Sequence, residues 1–344
     1  MSLDLALPPV EAPIARVHLD GATFIEDAET LRRFPALAAF RDTLGDTPLL
    51  RVPGPVGGAR IYAKCEWCNP AGSVKDRVAF ALVHDVLRAT PDEALDSLRI
   101  YEYSGGNLAV ALGRLCRDLQ LAVRLVVSSG SPPSLLAKLD AWGAEVDLVD
   151  KELGFLGVIE HAHAFAAANP SLTFLYQHRN TANIAFHEQT TGAEIVRQAE
   201  RPVAAWLASI GTGGTLIGVA RALRAANPAL RVFGVTPAEL PYGSSLMPNS
   251  LPKYAGSGGF GRGLRQPFVA AFDEQLDGHF GVSYDDALAG MGEFFDRTGI
   301  RIGGSAAANW LSACEVARRL GPDESVVTLF ACAGTPEEWQ RLGR

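Results

Sequence analysis

Short, nearly unbroken apolar runs alternate with helix-period stretches along most of this chain, and that alternation restricts the folds open to it. The runs lie at residues 61–64, 97–103, 122–127, 145–149, 172–176, 204–209, 231–235 and 325–330. A strand apolar on both faces belongs inside a sheet that is covered on both sides, and parallel strands need a helix-length crossover between them. Residues 74–88, 108–118, 134–142, 157–168, 185–198, 214–226, 284–297 and 306–320 supply such crossovers. The expectation is an α/β protein with open, mainly parallel, twisted sheets flanked by helices. Residues 1–45 read as an amino-terminal extension with a helix at 28–43, ended by Gly45-Asp46-Thr47-Pro48. Residues 238–269, rich in Gly, Pro and Ser, break the alternation as a long loop, which in a compact domain is usually functional.

Composition excludes several classes of protein. A net charge of −7 argues against nucleic acid or an anionic membrane as the main partner. No apolar run is long enough to span a bilayer, and the first residues carry no basic stretch of the kind that opens a secretion signal. Five scattered cysteines fit free thiols in a reducing cytoplasm. The pair in Cys65-Glu66-Trp67-Cys68 ends an apolar strand without a second Cys or His pair nearby, so packing is favoured over redox or metal chemistry.

Three junctions carry chemistry. Asn69-Pro70-Ala71-Gly72-Ser73-Val74-Lys75-Asp76-Arg77 puts a lysine at a helix start behind a small-residue turn. The positive end of a helix and burial both disfavour the ammonium form, which makes such a lysine a nucleophile for carbonyls. Alone, a lysine in the first turn of an amphipathic helix is usually a solvated surface residue, and the reactive reading needs other segments to agree. Gly211-Thr212-Gly213-Gly214-Thr215 follows a strand and leads into a helix, a place where amides converge on an anion. Its spacing fits neither a dinucleotide fingerprint nor a P-loop, so a cup for one phosphate monoester or a plain structural turn remain. Ser104-Gly105-Gly106-Asn107 is a third strand-to-helix turn, suited to a carboxylate or simply to capping.

Together and in this order, from about Gly45 to Gly334, these segments resemble the fold-type II pyridoxal-phosphate enzymes, in particular the cysteine synthase and cystathionine β-synthase group. The resemblance implies a tryptophan-synthase-β-like fold with pyridoxal 5′-phosphate held on Lys75 as a Schiff base. It implies a phosphate cup at Gly211, Thr212, Gly213, Gly214 and Thr215, and Asn107 beside the cofactor ring. Substrate contacts would come from Ser104, Gly105, Gly106, Asn107, Gln177, Gly256, Ser257, Gly258 and Ser305. It further implies a larger cofactor domain (46–75 and 190–344), a smaller mobile domain (76–189), a homodimer, small amino-acid substrates and no metal.

Departures from the family pattern bear on the reaction. The family's usual T-S-G-N-T is Ser104-Gly105-Gly106-Asn107-Leu108 here, which removes two hydroxyls. The leucine is similar to the branch that joins glutamate to a serine-derived acrylate on the way to 2,3-diaminopropionate. The serine that faces the pyridine nitrogen becomes Ala333 in one register and Cys332 in the next. The reaction implied is β-replacement on serine, O-acetylserine or O-phosphoserine through an aminoacrylate, with a sulfur or amine nucleophile. A dehydratase-type elimination and a catalytically silent regulatory protein are the alternatives, and a nicotinamide dehydrogenase is a distant third.

Overall fold

Two short helices, α1 (Ala28–Arg33) and α2 (Pro35–Asp42), lead into the hairpin strands β1 (Leu49–Val52) and β2 (Arg60–Cys65), and then into α3 (Lys75–Ala89). The chain next builds β3 (Arg99–Tyr103), α4 (Asn107–Leu119), β4 (Ala122–Ser128), α5 (Pro133–Ala141), β5 (Glu145–Val149), α6 (Gly154–Ala168) and β6 (Thr173–Phe174). Helices α7 (Ala182–His187) and α8 (Ala193–Gln198) precede β7 (Ala205–Ser209), α9 (Gly214–Ala226) and β8 (Arg231–Pro237). A long loop ends in α10 (Pro267–Ala270), followed by β9 (Gly278–Val282), α11 (Tyr284–Thr298), α12 (Gly304–Ala317), β10 (Ser325–Phe330) and α13 (Pro336–Arg341). This computed structural model describes residues 17–19 and 21–344, so the opening stretch read above for its lack of a secretion signal lies outside the described residues.

The strands form one six-stranded sheet, β1-β2-β10-β7-β8-β9, and one four-stranded sheet, β5-β4-β3-β6. Only β1 with β2 is antiparallel; every other pair is parallel. The register sets Phe330 opposite Cys65 and Thr328 opposite Leu207, so the chain leaves β2, β10 and β7 at one edge of the large sheet. In the small sheet Tyr101 lies opposite Phe174, which brings the exits of β3 and β6 together in the same way. Ligand sites in parallel α/β sheets form outside such carboxyl ends.

Helices cover both faces of the large sheet. Trp310 and Phe294 from α12 and α11 pack with Phe330 on one side, and Leu216, Ile217 and Val219 of α9 pack with Trp206 on the other. The small sheet shares a core with α3 and α4 through Ile100, Leu112, Val78 and Leu82.

Three local expectations change. The helix expected over 28–43 is two helices, because Pro35 has no N–H and clashes with the preceding turn; it serves α2 as a first-turn residue. Strands β1 and β9 carry no unbroken apolar run, because they are the outer strands of their sheet: in β1 only Val52 is buried, and every residue of β9 is half-buried or exposed. The helix expected over 185–198 is interrupted by a π-turn at Glu188–Gly192, a feature that collects at functional sites.

A buried ion cluster ties these parts together. The Arg77 guanidinium, on the first turns of α3, bonds Glu66 at 2.7 and 2.8 Å and Glu194 of α8 at 2.6 and 2.8 Å. Lys64 of β2 meets Glu194 at 2.7 Å and donates to the Thr47 carbonyl at 2.6 Å. Thr47 Oγ1 and Asn69 Nδ2 donate to the Glu66 carboxylate at 2.6 and 2.8 Å. Two cations meet two carboxylates, so the cluster is neutral. Burial alone would raise both acids, but Arg77 holds Glu66 below the usual range and, with Lys64, brings Glu194 down to about 2.

Removing one partner leaves an uncompensated buried charge, so Arg77→Met should cost about 3–5 kcal/mol in denaturant unfolding. Glu194 is depressed from an unfolded value of 4.5 to about 2, so its contribution is complete above pH 4.5 and fades as pH falls through about 2. Chemical denaturation of wild type from pH 6 to pH 2 should show that loss, and Glu194→Gln should flatten it.

Candidate active site

Lys75 is the first residue of α3, behind a turn pinned to the large sheet. Val74 N–H donates to the Ala331 carbonyl at 2.9 Å, and Ser73 pairs with Cys332 across an antiparallel bridge. No side chain caps the helix, so its positive end faces the lysine directly. Burial brings the Lys75 amine down to about 8, and only the Cys332 thiol opposes it. Among the described residues no carboxylate forms an ion pair with Lys75. The neutral form of this amine, which nucleophilic attack on a carbonyl requires, is therefore a minor species near physiological pH but far more abundant than for an ordinary lysine.

The glycine turn after β7 is held open from several sides. Gly213 takes a φ of +89° at the start of α9, where a Cβ would also collide with Val269. A Cβ on Gly214 would overlap the Asn183 amide, and one on Gly211 would stand 2.5 Å from the Gly256 carbonyl. The Thr212 hydroxyl accepts from Gly214 N–H and Asn183 Nδ2, both at 3.1 Å. Asn183 Oδ1 stays buried without a partner among the described residues. Thr215 Oγ1 lies 3.0 Å from Nε2 of His187, whose Nδ1 lies 2.9 Å from Thr191. Burial first, then Arg77 and Lys75, push His187 far below its ordinary range, so it stays neutral. First-turn amides, small residues and neutral donors make a cradle that fits a phosphate monoester.

Asn107 opens α4 just as Lys75 opens α3. The Ser104 hydroxyl accepts from Gly106 N–H and Ala109 N–H, both at 3.3 Å, and holds the turn. The Asn107 side chain hydrogen-bonds the Cys332 thiol, which burial raises and which also feels Lys75. Cys332 thus sits among Lys75, Asn107 and Gly303, while Ala333 is tied through its carbonyl to Trp339 Nε1 at 2.8 Å. A thiol in that place can meet a ring nitrogen; a methyl group cannot.

The other substrate candidates fall around this core. Tyr176 has a φ of 57°, a conformation rare for a bulky residue, and it turns the chain so that Gln177 and His178 are buried. Gln177 Nε2 donates to the Tyr103 carbonyl at 2.7 Å, and its N–H donates to Glu102 at 3.0 Å. Burial raises Glu102 to about 8 against those bonds, so it is largely protonated at neutral pH. Gly258 N–H bonds the Ile210 carbonyl at 3.1 Å and Ser257 Oγ reaches Val235, which packs the 256–258 loop on the glycine turn after β7. Ser305 is buried in the first turn of α12. Arginines near these loops have partners of their own: Arg262 lies 3.9 Å from Glu160, Arg265 pairs with Asp273 at 2.7 Å, Arg179 lies over Tyr176 and Arg301 over Trp339.

Several site residues escaped the sequence reading. Asn183, His187, Thr191 and Glu194 follow one another at helical spacing and present one buried polar stripe. A polar stripe inside an otherwise apolar helix face was the available signal. Ser131 is another: its hydroxyl stands 3.0 Å from where a Gly105 Cβ would be, close to the hydroxyl that position lacks. No motif marks it.

The cysteine pair reads as packing in the case of Cys65, which is buried with its thiol pushed up to about 12. Cys68 is exposed, and no group of metal-ligating side chains exists among the described residues.

Comparison with known proteins agrees with this geometry. The family described as pyridoxal-phosphate dependent enzyme matches residues 40–331. A probable cysteine synthase of Bacillus subtilis is 33% identical over 299 residues, covering 85% of this chain and 93% of that protein. The N-(2-amino-2-carboxyethyl)-L-glutamate synthase of Ralstonia nicotianae is 32% identical, covering 85% and 86%. Among solved structures, an O-acetylserine-dependent cystathionine β-synthase from Helicobacter pylori superposes with a TM-score of 0.73 at 28% identity, covering 86% and 94%. A hydrogen sulfide-producing enzyme from Fusobacterium nucleatum does so at 0.77 and 25%, covering 90% and 92%.

Gly214→Ala should weaken uptake of pyridoxal phosphate by about 10-fold or more, the effect of roughly 1.4 kcal/mol, in a spectral titration of cofactor-free protein. Lys75 is lowered from 10.5 to about 8, so the unfolded chain binds more protons between those values and stability rises with pH there. Below pH 8 the full penalty of its buried charge is present. Lys75→Met should therefore raise the thermal midpoint of the cofactor-free protein at pH 7 and do so much less above pH 10.

Proposed function

The chain belongs to the pyridoxal-phosphate-dependent enzyme family, and from that premise we propose how its residues carry out a β-replacement on a serine-derived amino acid. The observation that carries the reading is the buried Lys75 at the head of α3, without a carboxylate ion pair and brought down to about 8, beside the Asn107–Cys332 contact. Bound there, pyridoxal phosphate supplies the electron sink that acidifies a substrate α-proton and lets a β-substituent depart.

The protein's part is positioning and proton movement. Lys75 Nζ would hold the cofactor through its carbonyl and, once displaced by the substrate's amine, would take the α-proton as general base, a task suited to an amine that titrates near 8. The phosphate turn anchors the other end of the cofactor without a titrating group, since His187 stays neutral. Cys332, rather than Ala333, is the residue assigned to the pyridine nitrogen. Burial raises the Cys332 thiol, so it would offer the ring nitrogen a neutral partner, which would suit loss of a β-substituent. The amino end of α4, from Gly105 to Asn107, receives the substrate carboxylate on backbone amides. With Gly105 and Leu108 lacking hydroxyls, that seat relies on amides, Ser131 and the remaining capacity of Gln177. Leucine at position 108 and the Ralstonia nicotianae relative favour an amine over sulfide as nucleophile.

We infer a homodimer in the cytoplasm as the working form, supported by family resemblance and by five unpaired cysteines. No helix among the described residues is long and apolar enough to cross a membrane. Residues 76–189 are the unit expected to close over the substrate.

Purified protein supplied with pyridoxal phosphate should absorb in the visible, and serine, O-acetylserine or O-phosphoserine should change that band. A nucleophile that discharges the new band should yield one β-substituted amino acid, and Lys75→Ala should reduce turnover by at least about 10³-fold. Pyruvate released at the same rate without a nucleophile would assign the chain to elimination instead.

A further inference from the structure

His178 is a buried, polar side chain that the reaction above does not use. Its ring is stacked on Tyr103, with centroids 5.5 Å apart and planes inclined by 16°. Phe260 and Phe155 approach it at 5.5 and 6.1 Å. Three segments of the site converge on this ring: Tyr103 precedes Ser104, Phe260 follows the 256–258 loop, and Gln177 is its chain neighbour. The charge of Lys75 acts on it directly, and burial together with that charge brings it down to about 3, so it is neutral throughout the working range.

The hydrogen bonding fixes which nitrogen is available. The Tyr103 hydroxyl lies 2.7 Å from Nδ1. That hydroxyl has no other partner among the described residues, and burial holds it far above its ordinary range, so it keeps its proton. A buried O–H without an acceptor costs more than an unused lone pair, so Tyr103 donates and Nδ1 accepts. The ring proton therefore sits on Nε2. Among the described residues nothing hydrogen-bonds Nε2, and it is not one of the fully enclosed unpaired polar atoms, so it opens onto accessible space.

We propose that His178 is a specificity-determining contact: its Nε2–H donates a hydrogen bond to an oxygen of the substrate's β-substituent. The proposal rests on the β-replacement reading and names the group that recognises what leaves. The α-carboxylate is the weaker partner for this donor. It is drawn to the charged end of α4, whereas Tyr103, Phe155 and Phe260 wall His178 with apolar rings that would desolvate an anion. An ester or ether oxygen with its attached methylene suits such a wall. A protonated acid here is excluded, because a group that titrates near 3 carries no proton to give beyond the one on Nε2.

The test is equilibrium binding to the holoenzyme, read from the cofactor band, without nucleophile. The ligands are L-alanine, which has no β-oxygen, and L-serine, O-acetyl-L-serine and O-phospho-L-serine. His178→Phe keeps the stacked ring and removes the donor. It should weaken the best-bound serine derivative by about 10-fold, the range of one lost hydrogen bond, and leave L-alanine within about 2-fold. His178→Gln, which restores an N–H donor, should recover most of the loss. Equal weakening of L-alanine, or no weakening of any serine derivative, would overturn the proposal. A wild-type holoenzyme that distinguishes none of these ligands from L-alanine would overturn it together with the β-replacement it serves.

Discussion

Arg77 stands two residues beyond Lys75 on the same helix, and its guanidinium is clamped between Glu66 and Glu194 with Lys64 completing the cluster. That clamp gathers β2, α3, α8 and the Thr47 turn into one rigid unit. Its charges cancel, so it can be buried without shifting the site's electrostatics by a net charge. Helix α3 can then carry a lysine at its head that is in no ion pair, because Glu66 and Glu194 are engaged by Arg77 and Lys64 and Asp76 turns back to the Ala71 N–H. Burial lowers the Lys75 amine, and no ion pair restores it, whereas Arg77 and Lys64 keep their partners.

The same economy runs through the rest of the site. The exits of β2, β10 and β7 lie side by side, so the lysine turn, Cys332 and the phosphate turn converge without long loops. The small sheet brings Asn107 and Gln177 from β3 and β6. Around the lysine, His178, His187 and Glu102 are all held neutral by burial near physiological pH. The glycine turn offers an anion amides and a helix end, which do not titrate.

Much of this was legible in the residues. Alternating runs specified a parallel α/β architecture, because strand burial on both faces leaves a compositional trace. The glycine turn was legible for a related reason: Gly213 and Gly214 occupy places where any side chain would collide. What stayed hidden were relationships across the chain. Glu66 and Glu194 look like ordinary acids until folding sets them on Arg77, and Glu66 sat inside a cysteine pair that drew attention elsewhere. The choice between Cys332 and Ala333 depends on which way β10 exits, a one-residue matter that register decides and composition does not. Pro35 lies within the stretch expected as one helix, and it divides that stretch in two. Ser131 and His178 carry no motif; only the fold places them beside Gly105 and Tyr103.

The central claim is that the head of α3 holds the cofactor through one lysine. Reduction of the holoprotein with borohydride, followed by peptide mass mapping, measures this directly. The account predicts one phosphopyridoxyl adduct per chain, on the peptide that contains Lys75. An adduct confined to another lysine, or a protein left unlabelled after saturation with pyridoxal phosphate, would contradict it.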